Sequence, residues 1–152
     1  MGPEGNMIEF RQECLMLCED EVSPLAALEW EESGHPTEGL CIDWEQYAAL
    51  ENVGMLRFFT ARDGSALIGY IVVIVMSPLT TKGSLVAVLD SVYVAKPYRG
   101  KTGYQLFHFV ETCMKEDGVF RVLASSSAKN PIGAFLERMG YCEVETKFEK
   151  AL

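Results

Sequence analysis

Polar and apolar positions change period along this chain, and the change divides it. From Glu9 to Glu32 acidic residues alternate with short apolar groups at helical spacing, which predicts a helical region interrupted near Ser23-Pro24. Pro24 is expected in the first turn of a second helix with Ser23 as its N-cap. Ser33-Gly34-His35-Pro36 predicts a break, and Asp43 predicts the cap of a short helix, Trp44 to Asn52, closed by Gly54. From Met55 the period shortens. Leu56 to Ala61, Leu67 to Met76 and Leu85 to Val94 predict three strands, with Asp63-Gly64 and the Ser77–Gly83 loop as reversals, hence an antiparallel meander. Lys96 to Gly103 predicts a loop. Tyr104 to Asp117 predicts a helix, with Leu106, Phe107, Val110, Cys113 and Met114 on one stripe. Val119 to Ala124 is then a strand, making a βαβ unit whose strands should be parallel. A helix from Pro131 to Met139, capped by Asn130, and a final strand pair or one long strand from Tyr141 to Phe148 complete the expectation. The predicted class is α/β: one domain over residues 1–152 with a mixed sheet, antiparallel at its start, and helices on both faces.

With 152 residues and 49% hydrophobic content, the chain can bury a core without staples. Its five cysteines, Cys14, Cys18, Cys41, Cys113 and Cys142, form no CxxC pair, and neither His35 nor His108 stands at metal-ligand spacing from them. Reduced thiols and no metal are expected. Residues 1–6 are polar and are expected to be disordered or a cloning remnant, and the longest apolar run, Ala66 to Met76, falls short of the roughly 20 residues a spanning helix needs. A cytoplasmic location is the expectation. Charge is unevenly placed within the net of −9. Residues 1–60 hold 13 acidic and 2 basic side chains, residues 61–152 hold 9 and 11. That asymmetry suits a cationic partner near the first half and an anionic one near the second, and it speaks against duplex nucleic acid.

The segment after the third strand carries the chemistry. Val92-Tyr-Val-Ala-Lys-Pro-Tyr-Arg-Gly-Lys-Thr-Gly103 runs from strand end to helix start through glycines and positive charge. The first N–H groups of a helix lack intrahelical partners and carry the positive end of its dipole, and Gly100 and Gly103 let a bulky anion approach, so the segment suits a diphosphate. Gly100-Lys101-Thr102 is similar to the end of a P-loop, but the first glycine of that pattern would fall on Ala95. The segment more closely resembles the cofactor loop of the GNAT acetyltransferase superfamily, (Q/R)-x-x-G-x-(G/A), with Arg99 at its first position. Thr102 stands where its first glycine is expected, and Tyr104 where its Gly or Ala is expected. Asn130-Pro-Ile-Gly-Ala-Phe-Leu-Glu-Arg-Met-Gly-Tyr141 is similar to that family's N-x-x-A-x-x-L-Y-E-K-x-G-F helix, and the closing Glu149–Leu152 resembles members encoded by tailed phages.

The resemblance implies a sheet whose parallel pair splays to admit the pantetheine arm of acetyl-CoA, and direct attack by an amine on the thioester. It implies that Val92, Tyr93 and Val94 bind the arm, and that Arg99, Gly100, Lys101, Thr102, Gly103, Tyr104 and Asn130 bind the rest of the donor. Asp90 would be the general base, sharing a strand face with Val88, Val92 and Val94. The family's tyrosine acid is Leu136 here, so Tyr141, Tyr104 or water would substitute. The acceptor would be a small cationic amine or a lysine-bearing peptide, with a second copy of the chain as a further candidate partner. A GNAT-shaped binding protein without catalysis is the rival expectation. Trp30 and Trp44 are expected in the core rather than as substrate platforms, and His35 is placed in a loop on the acidic half, from which it could approach the acceptor.

Overall fold

A computed structural model describes residues 7–35 and 39–152. The expected properties of residues 1–6, and Pro36 within the predicted break, lie outside the described residues. Five strands form one sheet in the order β1-β2-β3-β4-β5: β1 (Ile8–Glu13), β2 (Leu56–Asp63), β3 (Ala66–Met76), β4 (Leu85–Val94) and β5 (Val119–Leu123). The first four are antiparallel neighbours and β4–β5 is parallel. Helices α1 (Glu19–Glu32) and α2 (Trp44–Asn52) lie against one face, α3 (Lys101–Glu116) and α4 (Gly133–Arg138) against the other. The predicted mixed α/β sheet with helices on both faces is therefore the observed architecture.

Each face has its own core. On the α3 side, Leu106, Phe107, Val110 and Met114 recur at helical spacing and pack on Phe59, Ile71, Val73, Ala87 and Leu89. Such side chains contribute roughly 1.5–3 kcal/mol each when fully buried. On the other side, Val22, Leu25 and Ala26 of α1 meet Phe58, Tyr70, Val72 and Tyr93. Beneath α1, Arg62 is buried between Glu13 and Glu21, with nitrogens 2.8 Å from an oxygen of each.

Several expectations are corrected. Residues Ile8–Glu13 form a strand rather than helix: Ile8 and Phe10 turn inward, and Phe10 lies 6.2 Å from Phe109, ring to ring. Pro24 sits inside one continuous helix, and Ser23 does not cap it. The Ser23 hydroxyl instead donates back to the Glu19 carbonyl at 2.9 Å. Helix α3 begins at Lys101, so the loop before it shrinks to a 3₁₀ turn, Lys96–Tyr98, and two residues. Asn130 does not cap α4. The Ile132 N–H donates to Ser126 Oγ at 2.8 Å and the helix starts at Gly133. Residues 141–148, expected to close the sheet, form no strand, so β5 is the sheet edge among the described residues. The Asp43 cap is as expected, accepting the Gln46 N–H at 3.0 Å.

Candidate active site

Strand β4 makes the site because it outruns its partner. Its pairing with β5 ends at Val88–Leu123, while β4 continues to Val94. Beyond Val88 its outer edge carries main-chain groups with no strand beside them among the described residues. At Asp90 the β3–β4 register slips: Val72 faces Ser91 and Val73 faces Leu89, leaving Asp90 as the extra residue of a bulge. One inserted residue flips the alternation. Asp90 and Ser91 both turn toward α1 and α2, whereas Val92 and Val94 pack on the α3 cluster. The expected shared face of Asp90 with Val92 and Val94 is therefore wrong, and the bulge is the reason.

The loop after β4 is anchored by Tyr98, whose hydroxyl donates to Asp63 at 2.6 Å. Gly100 takes φ 94° at the N-cap of α3, a conformation that favours glycine. No side chain caps the helix, and Tyr104 N–H is the donor to the Gly100 carbonyl, so the amides of Lys101, Thr102 and Gly103 stand at the positions without intrahelical acceptors. Thr102 is buried, Gly103 has open space around it, and Tyr104 is half-exposed beside His108. Arg99 does not join this end of the helix. Its Nη2 meets both oxygens of Glu32 at 2.9 and 2.7 Å, its Nε donates to the Val94 carbonyl at 2.8 Å, and its guanidinium lies over the buried Tyr93 ring. Arg99, expected to bind the donor, thus rests on Glu32 and the Val94 carbonyl in this structure. Asn130 is exposed, and Tyr141 packs on Phe107 across the sheet from Asp90. Burial and the nearby Glu111 raise the Tyr141 pKa.

On the α1–α2 face a cavity of about 280 Å³ opens beside the bulge. Trp30, Trp44, Tyr47 and Tyr70 wall it; Trp44 also packs against the α1-side core, as expected, while Trp30 lines the cavity outside that cluster, with His35 stacked on it at 3.9 Å. Two carboxylates reach it. Asp90, exposed, accepts the Tyr47 hydroxyl at 2.6 Å. Glu29, half-buried, accepts Ser91 at 2.7 Å and Tyr70 at 3.0 Å. Burial raises the Glu29 pKa against these bonds and that of the Val92 amide. Burial and the carboxylates likewise raise Tyr47 and Tyr70, which keep their protons at neutral pH.

Glu29 was not singled out from sequence, yet Val22, Leu25, Ala26 and Glu29 follow one helical stripe, and a carboxylate on an apolar stripe is the signal. Among the described residues no His, Cys, Asp and Glu group could hold a metal, and no helix is long and apolar enough to cross a membrane.

The profile of the acetyltransferase (GNAT) family matches residues 18–141. The chain is similar in structure to the ribosomal-protein-alanine N-acetyltransferase of Brucella melitensis biovar Abortus 2308, with TM-score 0.78 and 16% identity over 96% of this chain and 98% of that one. It is also similar to an aminoglycoside acetyltransferase from an uncultured soil metagenomic sample in complex with sisomicin, with TM-score 0.74 and 13% identity over 95% and 96%. The glucosamine-6-phosphate N-acetyltransferase of Arabidopsis thaliana gives TM-score 0.66 and 16% identity over 95% and 98%. At these identities the likeness is one of fold. No curated protein matches the chain in sequence.

Proposed function

The chain belongs to the acetyltransferase (GNAT) family, and from that premise we propose that it moves an acetyl group from acetyl-CoA to a primary amine by direct attack. The observation that carries the proposal is the bulged end of β4. Its outer edge beyond Val88, which has no strand partner among the described residues, suits the extended donor arm, and its Asp90 and Ser91 turn into the acid-and-aromatic cavity. One short segment thus borders both reactants, as direct transfer needs, since the reacting atoms must come within about 3–3.5 Å. The amides opening α3, with Lys101, suit the diphosphate. Arg99 would join them on leaving Glu32. The carboxylates Asp90 and Glu29 are the groups available to take a proton from the amine. The acidic α1–α2 half supports a cationic acceptor. A cytoplasmic setting, where the donor is made and thiols stay reduced, belongs to the same reading.

Calorimetric titration with acetyl-CoA, followed by free-thiol release with a panel of primary amines, tests this. Saturable binding and amine-dependent thiol release are expected. No binding at millimolar donor would refute it. A second reading, a GNAT-shaped binding protein without turnover, is favoured by Arg99 being held on Glu32 and by Leu136 lying buried where the family places a tyrosine. Thiol release above the amine-free rate removes that reading.

A further inference from the structure

The two carboxylates of the cavity are not equivalent. Asp90 lies exposed at the bulge and accepts the Tyr47 hydroxyl. Glu29 is held deeper, by the hydroxyl of Tyr70, which is 1% exposed, by Ser91, and by the Val92 amide. A carboxylate offers about four lone-pair sites. Three donors leave room for one more on Glu29, beside the strand segment that suits the donor thioester. The walls narrow the choice of ligand. Around the carboxylates, Trp30, Trp44 and Tyr47 with Val22 and Val72 present rings and apolar surface, against which much of a polyhydroxylated or polycationic body would lose water. A flat apolar body stacks on such rings, and an ammonium gains from their faces as well as from the carboxylate. At about 280 Å³ the cavity falls just below the roughly 300–1,000 Å³ range of small-molecule sites, which suits a small ligand.

We propose that this cavity takes a small primary amine carried on a planar apolar body, with the nitrogen at Glu29, and that Glu29 rather than Asp90 receives the amine proton. The proton step rests on the acetyl-transfer reading; the recognition of the amine rests on the cavity alone. The ammonium gives one proton to the Glu29 carboxylate, which passes it to solvent. The freed nitrogen lone pair forms the C–N bond at the thioester carbonyl carbon. Collapse of the adduct breaks the C–S bond, and the second nitrogen proton ends on the departing sulfur, giving amide and free thiol. Asp90, tied to Tyr47, is then a positioning residue whose charge acts on Glu29.

The test is calorimetric titration of the full chain with 2-phenylethylamine in the absence of acetyl-CoA, with spermidine and N-α-acetyl-lysine as the contrasting amines. Wild type should bind 2-phenylethylamine at least about ten-fold more tightly than either, and Glu29→Gln should lose about ten-fold or more, the loss expected of a charge-assisted bond. Asp90→Asn should lose less than about three-fold, which keeps the test decisive even where Glu29→Gln does not fold. Affinity should rise with pH as Glu29 ionises. The other titratable groups facing it are Asp90, Tyr47, Tyr70 and His35, and Glu29→Gln should abolish the rise. Tighter spermidine or acetyl-lysine binding, an unchanged Glu29→Gln, or a ten-fold loss in Asp90→Asn would each overturn the proposal. In thiol release, Glu29→Gln should lower kcat with the KM for acetyl-CoA preserved. Bound 2-phenylethylamine with no thiol release in wild type would sink acetyl transfer and the proton step while sparing the amine site. Turnover that survives Glu29→Gln would do the reverse to Glu29.

Discussion

Replacing Glu32 by alanine is expected to tighten acetyl-CoA binding. Arg99 Nη2 reaches both Glu32 oxygens, at 2.9 and 2.7 Å, and Lys96 Nζ lies 3.9 Å from the same carboxylate. An arginine so held must leave Glu32 before it can meet a diphosphate. Its side chain is 42% exposed and that of Glu32 20%, so water screens the pair. The two-oxygen contact places it in the upper part of the surface range, about 0.5–1 kcal/mol. Removing the competing carboxylate returns that free energy to the donor complex, which is about two- to five-fold in Kd. Loss of one acidic charge also favours any anion, so Glu31→Ala, an exposed neighbour on the same helix, is the control. Calorimetry with acetyl-CoA at low and physiological salt reads the difference. Equal effects of Glu32→Ala and Glu31→Ala, or weaker binding by Glu32→Ala, would show that Arg99 does not pass from Glu32 to the donor.

Three further outcomes are expected. Arg62→Met should cost about 2–4 kcal/mol in urea unfolding, because it strands the Glu13 and Glu21 charges beneath α1, though both keep some contact with water. Thermal unfolding should report two opposite pH responses. The Arg62 and Thr60 bonds outweigh burial and lower the Glu13 pKa, and the Arg62 bond lowers that of Glu21, so the unfolded chain binds more protons and their stabilisation is lost as pH falls below about 4.5. Glu13→Gln should flatten that acid limb. Glu29 is raised, so its contribution is full below about 4.5 and lost as pH climbs through its folded pKa, and Glu29→Gln should melt at or above wild type at neutral pH with the gap closing in acid. Asp43→Ala removes the cap of α2 and should cost about 1 kcal/mol, read as a lower Tm.

The middle of the chain was legible because β2 to β4 are runs of Val, Leu and Ile between clear reversals, and β4 spans the residues its pattern predicts. Strand β1 was not, since only Ile8 and Phe10 mark its inner face while Glu9, Arg11 and Glu13 suit a helix equally well. Residues 142–148 show the converse: Cys142, Val144, Thr146 and Phe148 alternate with polar residues, yet alternation supplies no partner strand. The bulge at Asp90 is invisible to parity arguments, which assume an unbroken pleat, and it moved Asp90 to the opposite face from Val92. Asp90 and the loop amides, which remain candidates, were singled out through their motif. Glu29 could have been found from its place on the α1 stripe, but its partners Tyr70 and Ser91 lie 41 and 62 residues away and only the fold unites them.

The early end of the β4–β5 ladder has a cost beyond the active site. A bare strand edge is a template for any other chain that can hydrogen-bond to it. Among the described residues only Leu85 to Val88 are covered by β5, and beyond them side chains rather than a strand meet β4, Arg99 at the Val94 carbonyl and Glu29 at the Val92 amide, leaving its edge unfinished. On the acetyl-transfer reading, a bound donor arm stands in for the missing strand. Self-association should therefore rise when the protein is starved of its donor and recede when the donor is supplied.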